Sequence, residues 1–143
     1  MIVDDKIKEL INKLTLIYLT PGVQPSEISD AIFEDEYKQI DLQKKNGEIK
    51  MSVTFLDYDR EFPVTVVMRY TYNLNNILLL VEQKVDRCPF KVQWDRDKEI
   101  DSLLTEISRR LLELNNDLEV ERVMNTIPDV LRTDMRNCLR LVA

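Results

Sequence analysis

The stretch "YKQIDLQKKNGEIKMSVTFL", Tyr37 to Leu56, decides the fold class. Apolar and polar residues alternate on both sides of Asn46-Gly47, a dipeptide whose tolerance of positive φ suits a two-residue hairpin turn matched to strand twist. With the turn centred there, Leu42 faces Met51 and Ile40 faces Val53, so apolar meets apolar on one face of the pair. The period is two, and the segment is a β-hairpin.

The same period continues downstream. In "FPVTVVMRYTY", Phe62, Val64, Val66, Met68, Tyr70 and Tyr72 alternate with Thr65, Val67, Arg69 and Thr71, which predicts a third strand with Pro63 near its start. Asn73 to Asn76 reverses the chain, and "ILLLVEQKV" reads as a strand covered on both faces. Asp86-Arg87-Cys88-Pro89 combines a turn-forming acid with a proline of fixed φ, after which Phe90, Val92 and Trp94 alternate with Lys91 and Gln93. Cys88 is therefore expected at a bend between the fourth and fifth strands. No histidine exists to make it a thiolate.

Outside this region the apolar period is helical. Val3, Ile7, Leu10, Ile11, Leu14, Ile17 and Tyr18 form one face, with Asp4 and Asp5 in the first turn and Thr20-Pro21-Gly22 at the end. Ser26 is expected to cap a short helix over about Glu27 to Glu34. After Trp94, Ile100, Leu103, Leu104, Ile107, Leu111 and Leu114 form a second stripe, with Asp97 or Asp95 as cap and Glu106 one turn from Arg110. Asn115, Asn116 and Asp117 interrupt it. Val120, Val123, Met124, Ile127, Leu131, Met135, Cys138, Leu139 and Val142 then share a face, within which Pro128 either kinks one helix or starts another at Asp129. The expected fold is α+β: a single domain over residues 1–143 with an N-terminal helix, a five-stranded antiparallel meander, and two or three C-terminal helices packed on the sheet.

Composition agrees with a folded domain. The chain has 143 residues, 44% hydrophobic and 32% charged, with no biased tract. Its net charge of -6 is spread along the chain. That disfavours phosphate backbones and anionic membranes, so neither nucleic acid nor membrane is an expected partner. The N-terminus lacks a signal peptide's pattern and no apolar run reaches membrane-span length, so a cytoplasmic location with both Cys88 and Cys138 reduced is expected.

The absence of histidine removes Ser-His-Asp and Cys-His catalysis and imidazole zinc ligands. With only Gly22 and Gly47, neither a P-loop nor a dinucleotide-binding glycine fingerprint can be written. Two acidic ladders, Asp57, Asp59 and Glu61, and Asp95, Asp97 and Glu99, resemble the opening of a calcium loop. They lack its glycine and its distal glutamate. In a meander they fall at opposite ends of the sheet, about 17 Å or more apart. They read as a charged turn and an acidic helix start. No cofactor or metal is expected.

Arg132, Arg136 and Arg140, spaced four apart beside an apolar row that includes Met135, present a cationic stripe suited to an acidic protein surface or a second copy. The helix-sheet-helix order and acidic charge are similar, at the level of architecture, to small secretion chaperones and other dimeric α+β adaptors. The expected function is a noncatalytic interaction or assembly module, adaptor- or chaperone-like and homo-oligomeric. Its contacts would lie on the terminal helices or a sheet edge, with Arg132, Arg136, Arg140 and Met135 as candidate partner-binding residues. The alternative is a small enzyme or ligand-binding domain with a carboxylate-lined pocket between sheet and helices, where Tyr58, Tyr70, Tyr72 or Trp94 would line the ligand.

Overall fold

The computed structural model describes the backbone over residues 2–142 and side chains over residues 5–140. Val3, Asp4 and Val142, which the helical pattern also counts, lie outside the described side chains. The elements are α1 (Ile2–Leu19), α2 (Pro25–Ile28), a 3-10 turn (Ser29–Phe33), β1 (Tyr37–Lys45), β2 (Glu48–Asp57), β3 (Val64–Asn73), β4 (Leu78–Val85), β5 (Lys91–Asp95), α3 (Arg96–Glu113), α4 (Asp117–Met124) and α5 (Asp129–Val142). This is an α+β fold, in chain order an N-terminal helix, one antiparallel sheet and three C-terminal helices. The chain forms two compact units, one of α1 with α3, α4 and α5, the other of Pro21–Arg96.

In the sheet unit the strands lie in sequence order, β1-β2-β3-β4-β5. The hairpin has the expected register, Leu42 opposite Met51 and Ile40 opposite Val53. Asn46 (φ 52°) and Gly47 (φ 77°) both adopt the positive φ of a type I′ turn. Met51, Val53 and Val66 are buried, as the alternating pattern requires. β3 begins one residue after Pro63, and Phe62 is exposed in the preceding loop. The proline has no N–H to give a ladder, so pairing starts at Val64 opposite Asp57.

The segment after α1 departs from expectation. Ser26 is not the cap. Gln24 precedes the helix, its backbone N–H donates to Glu27 Oε2 at 3.2 Å, and Pro25 occupies the first helical position. The helix lasts one turn before tightening into the 3-10 turn. This segment is tied to the β3–β4 end of the sheet: Leu78 N–H donates to Pro21 O at 2.8 Å, and Gln24 Nε2 donates to Asn76 O at 2.9 Å.

In the helical unit the predicted stripes converge. Ile7, Leu10, Ile11 and Leu14 of α1, Leu103, Leu104, Ile107 and Leu111 of α3, Met124 and Ile127, and Leu131 and Met135 of α5 form one buried cluster. Each such side chain contributes roughly 1.5–3 kcal/mol on burial. Asn115 (φ 47°) ends α3, and Asn116 caps α4 by accepting the N–H groups of Leu118 and Glu119. Pro128 separates α4 from α5, so the C-terminal stripe belongs to two helices. Glu106 pairs with Arg110 at 2.8 Å, as its spacing predicts, and also with Arg109 at 2.7 Å. These hydrogen bonds, Arg109's first, hold the Glu106 carboxyl below its usual range.

Candidate functional site

The candidate arginines are on α5, but they are not equivalent. Arg132 turns back on the start of its own helix, donating from Nη2 to Ile127 O at 3.0 Å and pairing with Asp129 at 3.1 Å. Arg136 and Arg140 are exposed one turn apart. Met135 has no exposed surface and belongs to the helical core. An apolar residue at helical spacing looks the same in sequence whether it meets a partner or its own core. Asp134, on the same helix, accepts the Tyr18 hydroxyl at 2.6 Å, fastening α1 to α5.

Of the candidate ligand-lining aromatics, Tyr72 serves the fold. Tyr72 is fully buried and donates its hydroxyl to Val23 O at 2.6 Å; burial, then the neighbouring Tyr70, pushes its pKa up to about 12. Burial also raises Tyr70. Tyr58 is exposed in the β2–β3 loop and Trp94 is half-buried on β5. The first acidic ladder is a turn. Asp57 accepts the Asp59 N–H at 3.0 Å and Arg60 Nε at 3.1 Å, and those bonds hold it below the usual carboxylate range. Asp97 and Glu99 of the second occupy the first turn of α3. Among the described residues no group of three or more Asp, Glu or Cys is placed to hold a metal ion. None of their helices is long and apolar enough to cross a membrane.

The bend that carries Cys88 is built by Asp86. With φ at 50°, Asp86 donates its N–H to Thr65 O and accepts the Thr65 N–H on Oδ1, each at 2.8 Å. Cys88 closes the turn onto Val85 O at 3.0 Å, and its thiol is free and exposed. Just before β5, Phe90 lies under Arg69, whose guanidinium is 3.8 Å from the ring centroid and makes two hydrogen bonds to Glu82 at 2.9 and 3.0 Å. Elsewhere on this unit, Arg60, Gln83, Val85, Cys88, Pro89, Lys91 and Gln93 line a cavity of about 500 Å³. Its lining has cations and amides but no carboxylate.

The meander also leaves β1 as an open edge. It is nine residues long, and only Tyr37 and Ile40 are half-buried. A two-residue turn makes Lys45 and Glu48 a hydrogen-bonded pair, so Lys45, Gln43, Asp41 and Gln39 direct their backbone groups to β2. Ile40, Leu42 and Lys44 then carry their N–H and C=O groups outward. Leu42 is 59% exposed, and the adjoining 3-10 turn adds Phe33 at 86%. The opposite edge, β5, has five residues and is broken by a register shift where it pairs with Val81 and Glu82.

No family model, curated protein or solved structure matches the chain.

Proposed function

We propose that the protein is a noncatalytic interaction module that accepts an extended segment of another protein along β1. The observation that carries this reading is the outward backbone of Ile40, Leu42 and Lys44 on a long edge strand, the last two of them exposed. Such an edge gains affinity from main-chain hydrogen bonds and specificity from alternate side chains.

The charges on β1 favour a different protein over a second copy. In the two-fold antiparallel pairing that would set Ile40 against Leu42, Asp41 meets Asp41. Like charges directly opposite are destabilising, and edge lysines are a common guard against self-pairing. A segment with apolar residues opposite Ile40 and Leu42, a basic one opposite Asp41 and an acidic one opposite Lys44 pairs apolar with apolar and each charge with its opposite. The expected self-association therefore does not extend to this edge. Arg136 and Arg140, exposed on α5, are a separate cationic contact suited to an acidic protein surface.

Native mass spectrometry of the chain purified gently from its own host tests the proposal. The expected result is a species containing a second, different polypeptide, lost when Asp41→Lys and Lys44→Glu are combined. A wild-type chain found only as a monomer overturns it, as does a complex that survives the charge reversal.

A further inference from the structure

We propose that the cavity lined by Arg60, Gln83, Val85, Pro89, Lys91 and Gln93 binds a small organic carboxylate. Its volume of about 500 Å³ falls in the range of small-molecule sites. The chain carries a net -6, yet this lining holds two cations and no acid. An anion entering it meets attraction that the net charge of the chain does not supply.

The lining residues divide by chemistry. Arg60 is steadied by Asp57, which accepts from Nε at 3.1 Å, leaving its terminal N–H groups without another partner among the described residues. Lys91 is exposed and has no ion-pair partner among the described residues. It stands opposite Gln83 in the β4–β5 ladder, which puts both on one face of the sheet, and Val85 follows Gln83 on that face. Gln93 Nε2 donates to Lys91 O at 3.3 Å. Val85 and Pro89 are the apolar surface. Two cations and two amides beside an apolar wall fit a ligand with one carboxylate and a compact hydrophobic body.

Cys88 lies in the same lining and reports on occupancy, while half-buried Cys138 serves as internal reference. The probe is benzoate, with benzyl alcohol as its uncharged counterpart. Cys88 alkylation by iodoacetamide is followed by mass spectrometry on the full chain. The expected result is saturable slowing at Cys88 by benzoate, absent with benzyl alcohol, absent at Cys138, and abolished by Lys91→Glu.

A second readout uses the ratio of iodoacetate to iodoacetamide rates at Cys88. Both reagents attack the same thiolate, so the ratio is independent of the thiol pKa. It should exceed that of glutathione and fall about threefold to fivefold in Lys91→Glu, as for one partly exposed charge pair. Equal protection by benzoate and benzyl alcohol, protection that survives Lys91→Glu, or no protection at all overturns the proposal.

Discussion

The Tyr72 hydroxyl donates to the Val23 carbonyl at 2.6 Å across 49 residues of sequence, pinning the segment after α1 to the third strand of the sheet. Tyr72 is buried, and its phenol pKa is raised from 10.0 to about 12. Below pH 10 the phenol is protonated in folded and unfolded chains alike. Between about 10 and 12 the unfolded chain gives up the proton while the folded chain keeps it, so stability falls as pH rises. The loss attributable to this group approaches about 2–3 kcal/mol. Tyr72→Phe should cost about 1 kcal/mol at neutral pH, through the lost hydrogen bond, and should flatten the alkaline decline. Urea unfolding at a series of pH values checks both, and an unchanged alkaline slope would count against the assignment.

Gly22 and Gly47 both have positive φ, at 89° and 77°, but for different reasons. A Cβ on Gly22 would sit 2.7 Å from Leu78 Cβ, whereas one on Gly47 would meet nothing within 4 Å. Gly47→Ala should therefore cost only the backbone term, about 1–2 kcal/mol. Gly22→Ala should add the clash with Leu78, for a total of about 3 kcal/mol. Equal losses in thermal or denaturant unfolding would contradict the close approach of Gly22 to β4.

These two glycines also show what sequence can and cannot carry. Asn46-Gly47 advertises its turn through neighbours in the chain, and the register of Leu42 with Met51 follows by counting. Gly22 is constrained by Leu78, 56 residues away, and no local pattern reports such a contact. The helical stripes were legible for the same local reason. What they touch was not, and Met135 shows the consequence: its spacing fits a partner surface as well as the core in which it is buried. The cavity beside Lys91 was hidden too. It depends on the β2–β3 loop bringing Arg60 to the β4–β5 turn.

Within the helical core, Ser108 and Met135 should respond in opposite directions. Ser108 is fully buried on α3, and its hydroxyl has no hydrogen-bond partner among the described residues. Ser108→Ala removes an unsatisfied polar group and improves helix propensity, so it should raise stability by about 1 kcal/mol. Met135→Ala should lower stability by about 2–5 kcal/mol through lost contacts and a cavity. Arg136→Glu with Arg140→Glu, on the exposed face of the same helix, should stay within about 0.5 kcal/mol of wild type. Calorimetric melting of the variants distinguishes a core Met135 from a surface one.

The open edge of β1 makes the most direct demand on the proposed function. In the isolated chain, the outward amides of Ile40, Leu42 and Lys44 should exchange with solvent quickly, while those of Asp41 and Gln43, paired with β2, exchange slowly. Residue-resolved amide hydrogen exchange by NMR should be measured on the isotope-labelled chain, alone and in the complex recovered from its host. Binding of the partner should slow Ile40, Leu42 and Lys44 to the level of their paired neighbours. A complex in which those three amides exchange as fast as in the free chain would contradict strand addition at β1.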